Sequence, residues 1–184
     1  MTPETKALFP DMTVSLRNGS PAVIRALRAA DGEALASFYA CVPDEDIRFY
    51  CPHQLDREHA LQNAGKADSP CEVVLVLETP AKAIGGYAWY RWEHAQAEKS
   101  SFGICISRPY QRLGAGRALM TRLLEIARIV GPPVMSLTVQ QANARAAKLY
   151  QEMGFLIVRE QMRQANPAIG MTEEPEYYME LRVR

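Results

Sequence analysis

Apolar positions in the middle of the chain change from a strand-like run to a helical period and back again. Residues 102–106 and 134–139 are short apolar runs rich in branched side chains, which is typical of buried strands. Between them, apolar residues at helical spacing predict one buried helix face: Leu119, Leu123, Ile126, Ala127 and Val130. Gly131-Pro132-Pro133 ends that helix. The three elements form a βαβ unit, so we expect parallel strands joined by a right-handed crossover.

The pattern outside this unit predicts further strands and helices in one domain. Turn residues separate five more strands, of which the second and third form an antiparallel hairpin: 23–27, 72–78, 83–92, 155–162 and 177–183. Helices are expected at 31–41, 56–64 and 143–153. Prolines and an Asn-Gly-Ser-Pro turn punctuate the N-terminal stretch. We therefore expect residues 1–20 to be a loosely ordered leader and residues 21–184 to be a single domain.

Composition narrows the class of protein. Of 184 residues, 48% are hydrophobic, and 21 basic residues balance 21 acidic ones. A zero net charge gives no reason to expect broad binding to nucleic acid or to anionic membranes. No apolar run approaches the ~18 residues of a membrane span. The cysteines show neither metal-ligand spacing nor a short-chain disulfide framework, so we expect a protein of the reducing cytoplasm without a metal: Cys41, Cys51, Cys71 and Cys105.

A glycine loop stands between the first strand of the βαβ unit and its helix. The loop is Gln111-Arg112-Leu113-Gly114-Ala115-Gly116. Its glycines let a ligand approach the backbone, and the amides at a helix N-terminus attract phosphate oxygens. A P-loop needs Lys-Ser/Thr where Arg117-Ala118 stand, and a Rossmann loop needs a third glycine where Leu119 stands. The loop therefore predicts a diphosphate site of another kind.

A second motif follows in the predicted helix 143–153. Asn143 and Tyr150 lie seven residues apart, so they share a helix face about 10 Å apart along the axis. Gly154 is suited to end this helix, and Phe155 begins the next strand. The glycine loop and the Asn…Tyr…Gly-Phe string, in this order, resemble the GNAT superfamily of acyl-CoA-dependent N-acetyltransferases, with the clearest likeness from Phe102 to Phe155.

The resemblance implies a fold, a cofactor and a set of site residues. The implied fold is mixed α/β (α+β), a mostly antiparallel twisted sheet with a central parallel βαβ unit that binds acyl-CoA and with flanking helices. Acetyl-CoA is the implied co-substrate. In such enzymes the strand before the loop contacts the pantetheine arm, the loop holds the pyrophosphate, and the second motif lines the channel. The corresponding residues here are Ile104, Cys105, Ile106, Gln111, Arg112, Leu113, Gly114, Ala115, Gly116, Arg117, Asn143 and Ala146.

Tyr150 is the implied catalytic residue because it would stand near the thioester sulfur. Amine attack on a thioester expels a thiolate whose conjugate acid has a pKa of about 8.5, if cysteine is a fair guide. A tyrosine, with a pKa of about 10, stays protonated at neutral pH and can donate to that sulfur. The expected reaction is acetyl transfer to a primary amine by direct attack.

The group that deprotonates the amine is left open by the sequence. Freeing a lysine-like amine at pH 7 costs about 4.6 kcal/mol. Many GNAT relatives carry a glutamate early in the strand before the loop, where this chain has Ser100 and Ser101. The remaining candidates for this base are glutamates. Glu98 lies close in sequence to that strand, and the others are more remote: Glu93, Glu78, Glu173, Glu174 and Glu176.

The sequence also leaves the amine acceptor and the class of activity open. The fold would place the acceptor pocket between residues 44–52 and 164–178, with Phe49, Tyr50, Trp89 and Tyr177 as aromatic walls. A small-molecule or peptide amine is the expected acceptor, and dimers are frequent in the family, so a homodimer is a further expectation. The alternatives are a non-catalytic acyl-CoA sensor or scaffold and, less favoured because of Leu119, a nucleotide-binding oxidoreductase.

Overall fold

The computed structural model describes residues 1–50, 52–95, 97–169 and 171–184. Its strands form one eight-stranded sheet in the order β1-β2-β3-β4-β5-β6-β8-β7. The strands are β1 Met12–Ser15, β2 Pro21–Ala26, β3 Glu72–Glu78, β4 Ile84–Arg91, β5 Lys99–Ile106, β6 Val134–Gln140, β7 Leu156–Arg163 and β8 Glu174–Arg182. The helices are α1 Pro3–Leu8, α2 Gly32–Ala40, α3 Asp44–Ile47, α4 Arg57–Gly65, α5 Ala115–Ala127 and α6 Ala144–Glu152.

The βαβ unit predicted from the sequence is β5-α5-β6. Strands β5 and β6 are parallel, whereas the other neighbouring strands pair in the antiparallel sense. The predicted fold class is therefore confirmed. The pairing of β5 with β6 covers only residues 99–101 and 134–136. Beyond these residues the two strands separate, which leaves a cleft in the middle of the sheet.

The helices pack their apolar faces against opposite sides of this sheet. On one side, Leu119 and Leu123 of α5 are fully buried in a core that also contains Tyr150 of α6. On the other side, α2 contributes Leu35 and Phe38 to a second core over β3 and β4. The segment that follows α2 also reaches the cleft between β5 and β6, where residues 42, 43, 46, 49 and 50 line a cavity.

The N-terminal residues differ from the expectation of a loosely ordered leader. Residues 3–8 form α1, and β1 pairs with β2 over four residue pairs. The ordering has an apolar cause, since Met1 and Leu16 are buried in the core beneath α5. The turn between β1 and β2 is thereby brought to the glycine loop, where the Arg17 N–H donates to the Leu113 carbonyl oxygen at 3.0 Å.

Candidate cofactor and catalytic site

A cavity of about 630 Å³ runs through the cleft between β5 and β6. The glycine loop and α6 border one end of it, and α3 with the residues that follow borders the other. Most of the residues predicted from the sequence line this one cavity: Ile104, Cys105, Ile106, Gln111, Arg112, Gly114, Gly116, Arg117, Asn143, Ala146 and Tyr150. The strand, the loop and the helix, which are separate in the chain, thus face a common space.

Leu113 and Ala115 are the two predicted residues that do not line the cavity. Ala115 is buried at 1% exposure, and Leu113 packs against the same core. The alternation of buried and cavity-facing positions follows from the tight turn into α5. Their side chains therefore support the loop from beneath, and only their backbone remains available to a ligand.

The loop is held in an unusual backbone conformation. Gly114 is the N-cap of α5 with φ of 90°, and Arg112 has φ of 62°, which is uncommon for a residue with a side chain. The Gln111 side chain donates from Nε2 to the Ile106 carbonyl oxygen at 3.0 Å and so ties the loop to the end of β5. The first N–H groups of α5 have no partner within the helix and point out of its N-terminus. This arrangement suits an anion such as a diphosphate.

Gly116 forms part of the cavity wall between α6 and β5. A Cβ at this position would lie 3.6 Å from Leu149 Cδ2 and 3.7 Å from Ile106 Cγ1, which is ordinary van der Waals contact. A single methyl group is therefore tolerated, whereas a larger side chain would extend into the cavity. The glycine keeps this wall thin beside the helix N-terminus.

Asn143 begins α6 and is itself part of the wall. Its Oδ1 accepts from the Ala146 N–H at 3.3 Å, which caps the helix. The cap fixes the start of α6 and therefore the direction of the residues one and two turns later. The Asn143 amide nitrogen makes no hydrogen bond among the described residues and remains available to a ligand.

Tyr150 points from α6 toward the cavity and is 8% exposed. Its ring is held by Phe102 and Phe155, each with a centroid separation of 6.0 Å. Its hydroxyl makes no hydrogen bond within the described part of the chain. Burial, with a smaller contribution from Cys105, raises the pKa of Tyr150 well above its ordinary value. The phenol is thus neutral at physiological pH and available as a proton donor.

Cys105 lies on β5 beside Tyr150 and faces the same cavity. Burial, followed by the charge of Asp46, raises the pKa of the Cys105 thiol to about 12. The thiol therefore stays protonated at neutral pH and is a poor nucleophile, since the thiolate is the reactive form. This argues against an acetyl-cysteine intermediate and favours direct attack by an amine.

The opposite end of the cavity matches part of the predicted acceptor pocket. Phe49 and Tyr50 line it together with Val42 and Pro43, and the Trp89 indole donates to the Tyr50 hydroxyl at 3.3 Å. Tyr177 packs instead against the core on the α5 side. Within the two predicted segments, Cys51 and Gly170 lie outside the described residues.

Most candidate carboxylates for deprotonating the amine are engaged or distant. Glu78 is ion-paired with Arg25 and Lys82, and Glu174 with Arg48 and Arg163. Two candidates, Glu93 and Glu98, line a separate cavity at the far end of the β4–β5 hairpin, together with Ser100, Ser101 and Ser136. Glu173 is exposed. Glu176 is therefore the candidate that needs separate consideration.

Several cavity residues were not predicted from the sequence. Arg17 comes from the segment expected to be a leader, and Arg108, Thr138, Arg145 and Lys148 carry no motif of their own. A helical projection of α6 places residues 145 and 148 on the face opposite Asn143 and Tyr150, so the second motif gave no signal for them. Nothing in the local sequence connects Arg17 with the loop, since their contact depends on the pairing of β1 with β2.

Metal-ligand clusters and membrane-spanning helices are two further features that bear on the class of site. Within the described residues, no three histidine, cysteine or acidic side chains come together in a way that could hold a metal ion. None of the helices in the described part of the chain has the length and apolarity needed to cross a bilayer.

Comparison with known proteins identifies relatives of this arrangement. The chain is 38% identical over 58 residues to the [ribosomal protein bS18]-alanine N-acetyltransferase of Escherichia coli (strain K12), a match that spans 32% of this chain and 39% of that relative. The fold is similar to that of an acetyltransferase of the GNAT family from Streptococcus pneumoniae, with a TM-score of 0.75, 24% identity, and coverage of 89% of this chain and 99% of that one.

A second solved structure and a family match complete the comparison. The yncA protein from Salmonella typhimurium, whose structure holds its cofactor acetyl-CoA, aligns with a TM-score of 0.72 at 20% identity over 89% of this chain and 94% of that one. The sequence profile of the acetyltransferase (GNAT) family matches residues 33–155, more than half of the chain. This match covers the loop, the cleft and Tyr150, and the chain belongs to the GNAT acetyltransferase family.

Proposed function

We propose that this protein transfers an acetyl group from acetyl-CoA to a primary amine by direct attack, with Tyr150 as the general acid. The observation that carries the proposal is the continuous cavity that joins the N-terminus of α5 to the Tyr150 hydroxyl and then to the aromatic residues Phe49 and Tyr50. A thioester with a long diphosphate-bearing arm fits such a cavity from the glycine loop inward, and an amine fits from the other end.

Different residues of the chain would bind different parts of acetyl-CoA. The N–H groups at the start of α5 and the glycine loop would hold the pyrophosphate, and the edge of β5 that β6 leaves unpaired at Ile104 and Ile106 would bind the pantetheine arm. Asn143 and Ala146 would line the other side of that arm. The bound acetyl-CoA supplies the activated acyl group, and the chain supplies orientation and proton transfer.

Tyr150 acts on the leaving group. The amine nitrogen forms a bond to the carbonyl carbon, the carbon–sulfur bond breaks, and its electron pair goes to sulfur. The phenol then gives its proton to the sulfur, and the proton lost from the nitrogen restores the phenol. Because the unpaired Tyr150 hydroxyl has no competing hydrogen bond within the described residues, its proton is available for this step.

Glu176 is our proposed acceptor for the proton of the incoming ammonium. It is 4% exposed, its Oε1 accepts from Gln161 Nε2 at 2.7 Å, and its Oε2 is buried without a partner among the described residues. Because β6 and β8 are paired with Thr138 opposite Tyr178, Glu176 is a diagonal neighbour of the cavity-lining Thr138, about 7–8 Å away on the same face. A buried carboxylate oxygen without a partner is costly, and an ammonium ion would satisfy it.

Replacing Glu176 with glutamine is expected to lower kcat/KM for the amine about 100-fold at pH 7. The deficit should shrink as the pH rises toward the pKa of the amine, because the neutral amine then forms in solution. The measurement is the pH profile of kcat/KM, with Glu173→Gln as the control because Glu173 is an exposed neighbour on the same segment. A variant with the wild-type rate at pH 7 would exclude this role for Glu176.

The proposed function is tested by following thiol release from acetyl-CoA with a panel of amines. The panel contains peptides with an N-terminal alanine, lysine peptides, polyamines, amino acids and aminoglycosides. Turnover with one class would establish transfer and name the acceptor. Tight binding of acetyl-CoA without turnover on the panel would instead favour a sensor or scaffold, and absence of binding would overturn the proposed cofactor.

A further inference from the structure

Cationic side chains gather where the cavity opens beside the glycine loop. They come from the β1–β2 turn, the loop itself and α6: Arg17, Arg112, Arg117, Arg145 and Lys148. The carboxylate on this side is Glu152, which pairs with Arg117 and lies 4.0 Å from Lys148. Arg17, Arg112 and Arg145 have no carboxylate partner within the described residues. This end of the cavity therefore carries positive charge that the protein does not neutralise.

Arg17 is fixed in position by its backbone. The turn between β1 and β2 is closed by hydrogen bonds from the Leu16 N–H to the Ser20 carbonyl oxygen at 2.9 Å and from the Gly19 N–H to the Leu16 carbonyl oxygen at 2.8 Å. Leu16 is buried, and the Arg17 N–H donates to the Leu113 carbonyl oxygen at 3.0 Å. The backbone of Arg17 is thus anchored to the cofactor loop before any ligand binds.

The side chain of Arg17 crosses the outer face of Gly114. A Cβ built on Gly114 would lie 3.9 Å from Arg17 Cγ and 4.0 Å from Arg17 Nε. Gly114 is the N-cap of α5, so the exposed guanidinium stands next to the N-terminus of that helix but outside it. Arg17 also lines the cavity, so a charged group just beyond the helix end is within its reach.

Besides its pyrophosphate, coenzyme A carries a third phosphate group, on the adenosine side of the molecule. Its pyrophosphate is matched by the amides of α5, and its pantetheine arm leads from there into the cleft toward Tyr150. The 3′-phosphate on the ribose lies on the other side of the pyrophosphate, and a phosphate monoester has a charge of about −1.5 to −2 at pH 7. An arginine guanidinium forms paired charge-assisted hydrogen bonds with such a group.

We propose that Arg17 binds the 3′-phosphate of coenzyme A and makes the protein select coenzyme A over dephospho-coenzyme A. This inference rests on the proposed function, because it assumes that the cavity takes an acyl-CoA. It assigns a role to the N-terminal segment, which brings a cation to the cofactor from outside the two sequence motifs. Arg112 and Arg145 add to the positive field around the same position.

Titration calorimetry with coenzyme A and with dephospho-coenzyme A tests the proposal. The wild-type protein should bind coenzyme A about tenfold more tightly or better. Arg17→Met should lose most of this preference, with weaker binding of coenzyme A and unchanged binding of dephospho-coenzyme A. Arg128→Met is the control, since it removes the same charge from an exposed position on the far end of α5.

The outcomes separate this proposal from the proposed function. Equal binding of the two ligands by the wild-type protein would overturn the role of Arg17 and leave the proposed function standing. If Arg17→Met weakened the binding of both ligands equally, the proposal would also be overturned. Arg17 would then contact the pyrophosphate or support the loop. Failure of the wild-type protein to bind either ligand would overturn the proposed function itself.

Discussion

Tyr150→Phe is expected to lower kcat by about 100-fold or more while leaving the Kd for acetyl-CoA within about twofold. The substitution removes only the hydroxyl, which makes no hydrogen bond within the described residues, and keeps the ring between Phe102 and Phe155. The thiolate would then leave without a proton donor. The measurement combines steady-state kinetics on the amine found in the panel with calorimetric binding of acetyl-CoA.

The matched control for this variant is Tyr110→Phe. Tyr110 lies next to the glycine loop, is partly buried and does not line the cavity. Because burial raises the pKa of Tyr150, the wild-type rate should not fall from ionisation of this phenol as the pH rises to about 10. Full activity of Tyr150→Phe would show that another group, or water, protonates the sulfur.

Gly116→Val is expected to weaken acetyl-CoA binding by about 100-fold, equivalent to about 2.7 kcal/mol. The first carbon of the new side chain fits between Leu149 and Ile106, but its methyl groups would enter the cavity beside the N-terminus of α5. The pyrophosphate would then be kept from the amides that bind it, and charge-assisted hydrogen bonds to an anion are among the stronger ones. Calorimetry with acetyl-CoA measures the change directly.

Gly65→Val is the control for the valine substitution. Gly65 ends α4, and nothing lies within 4 Å of a Cβ built there. Gly65→Val therefore measures the effect of placing a valine in a helix where no ligand site is nearby. Gly116→Ala should lie between wild type and Gly116→Val, because one methyl group makes only ordinary contacts. Wild-type affinity in a folded Gly116→Val would mean that the cofactor does not pass this wall.

The local parts of the site were predictable from the sequence because they depend on short-range rules. The helical spacing from Leu119 to Ala127 gave α5 and its buried face, although the predicted Val130 lies beyond the end of the helix, and the glycines gave the loop before it. The seven-residue interval between Asn143 and Tyr150 placed both on one face of α6. In each case the conformation is fixed by residues within one or two turns, so a short stretch of sequence carries the information.

The acceptor side was less predictable because its residues meet across the sheet. Glu78 and Glu176 read alike in the sequence, yet Glu78 is neutralised by Arg25 and Lys82, whereas Glu176 keeps a buried oxygen without a partner among the described residues. Ser100, expected from the family pattern to mark the site of a base, lies instead where β5 and β6 are still paired. Only the strand order and register decide which carboxylate lies beside the cavity-lining Thr138 and which is neutralised elsewhere.

The sequence by itself determined the βαβ unit, the glycine loop and the helix that bears Tyr150, since each follows from local backbone preferences and apolar periodicity. The tertiary structure alone decided that β5 and β6 separate after three residue pairs, and that Arg17 reaches the loop. Both depend on how distant strands pair and on which apolar residues they bury together. Such contacts form between segments far apart in the chain, and local sequence patterns do not specify them.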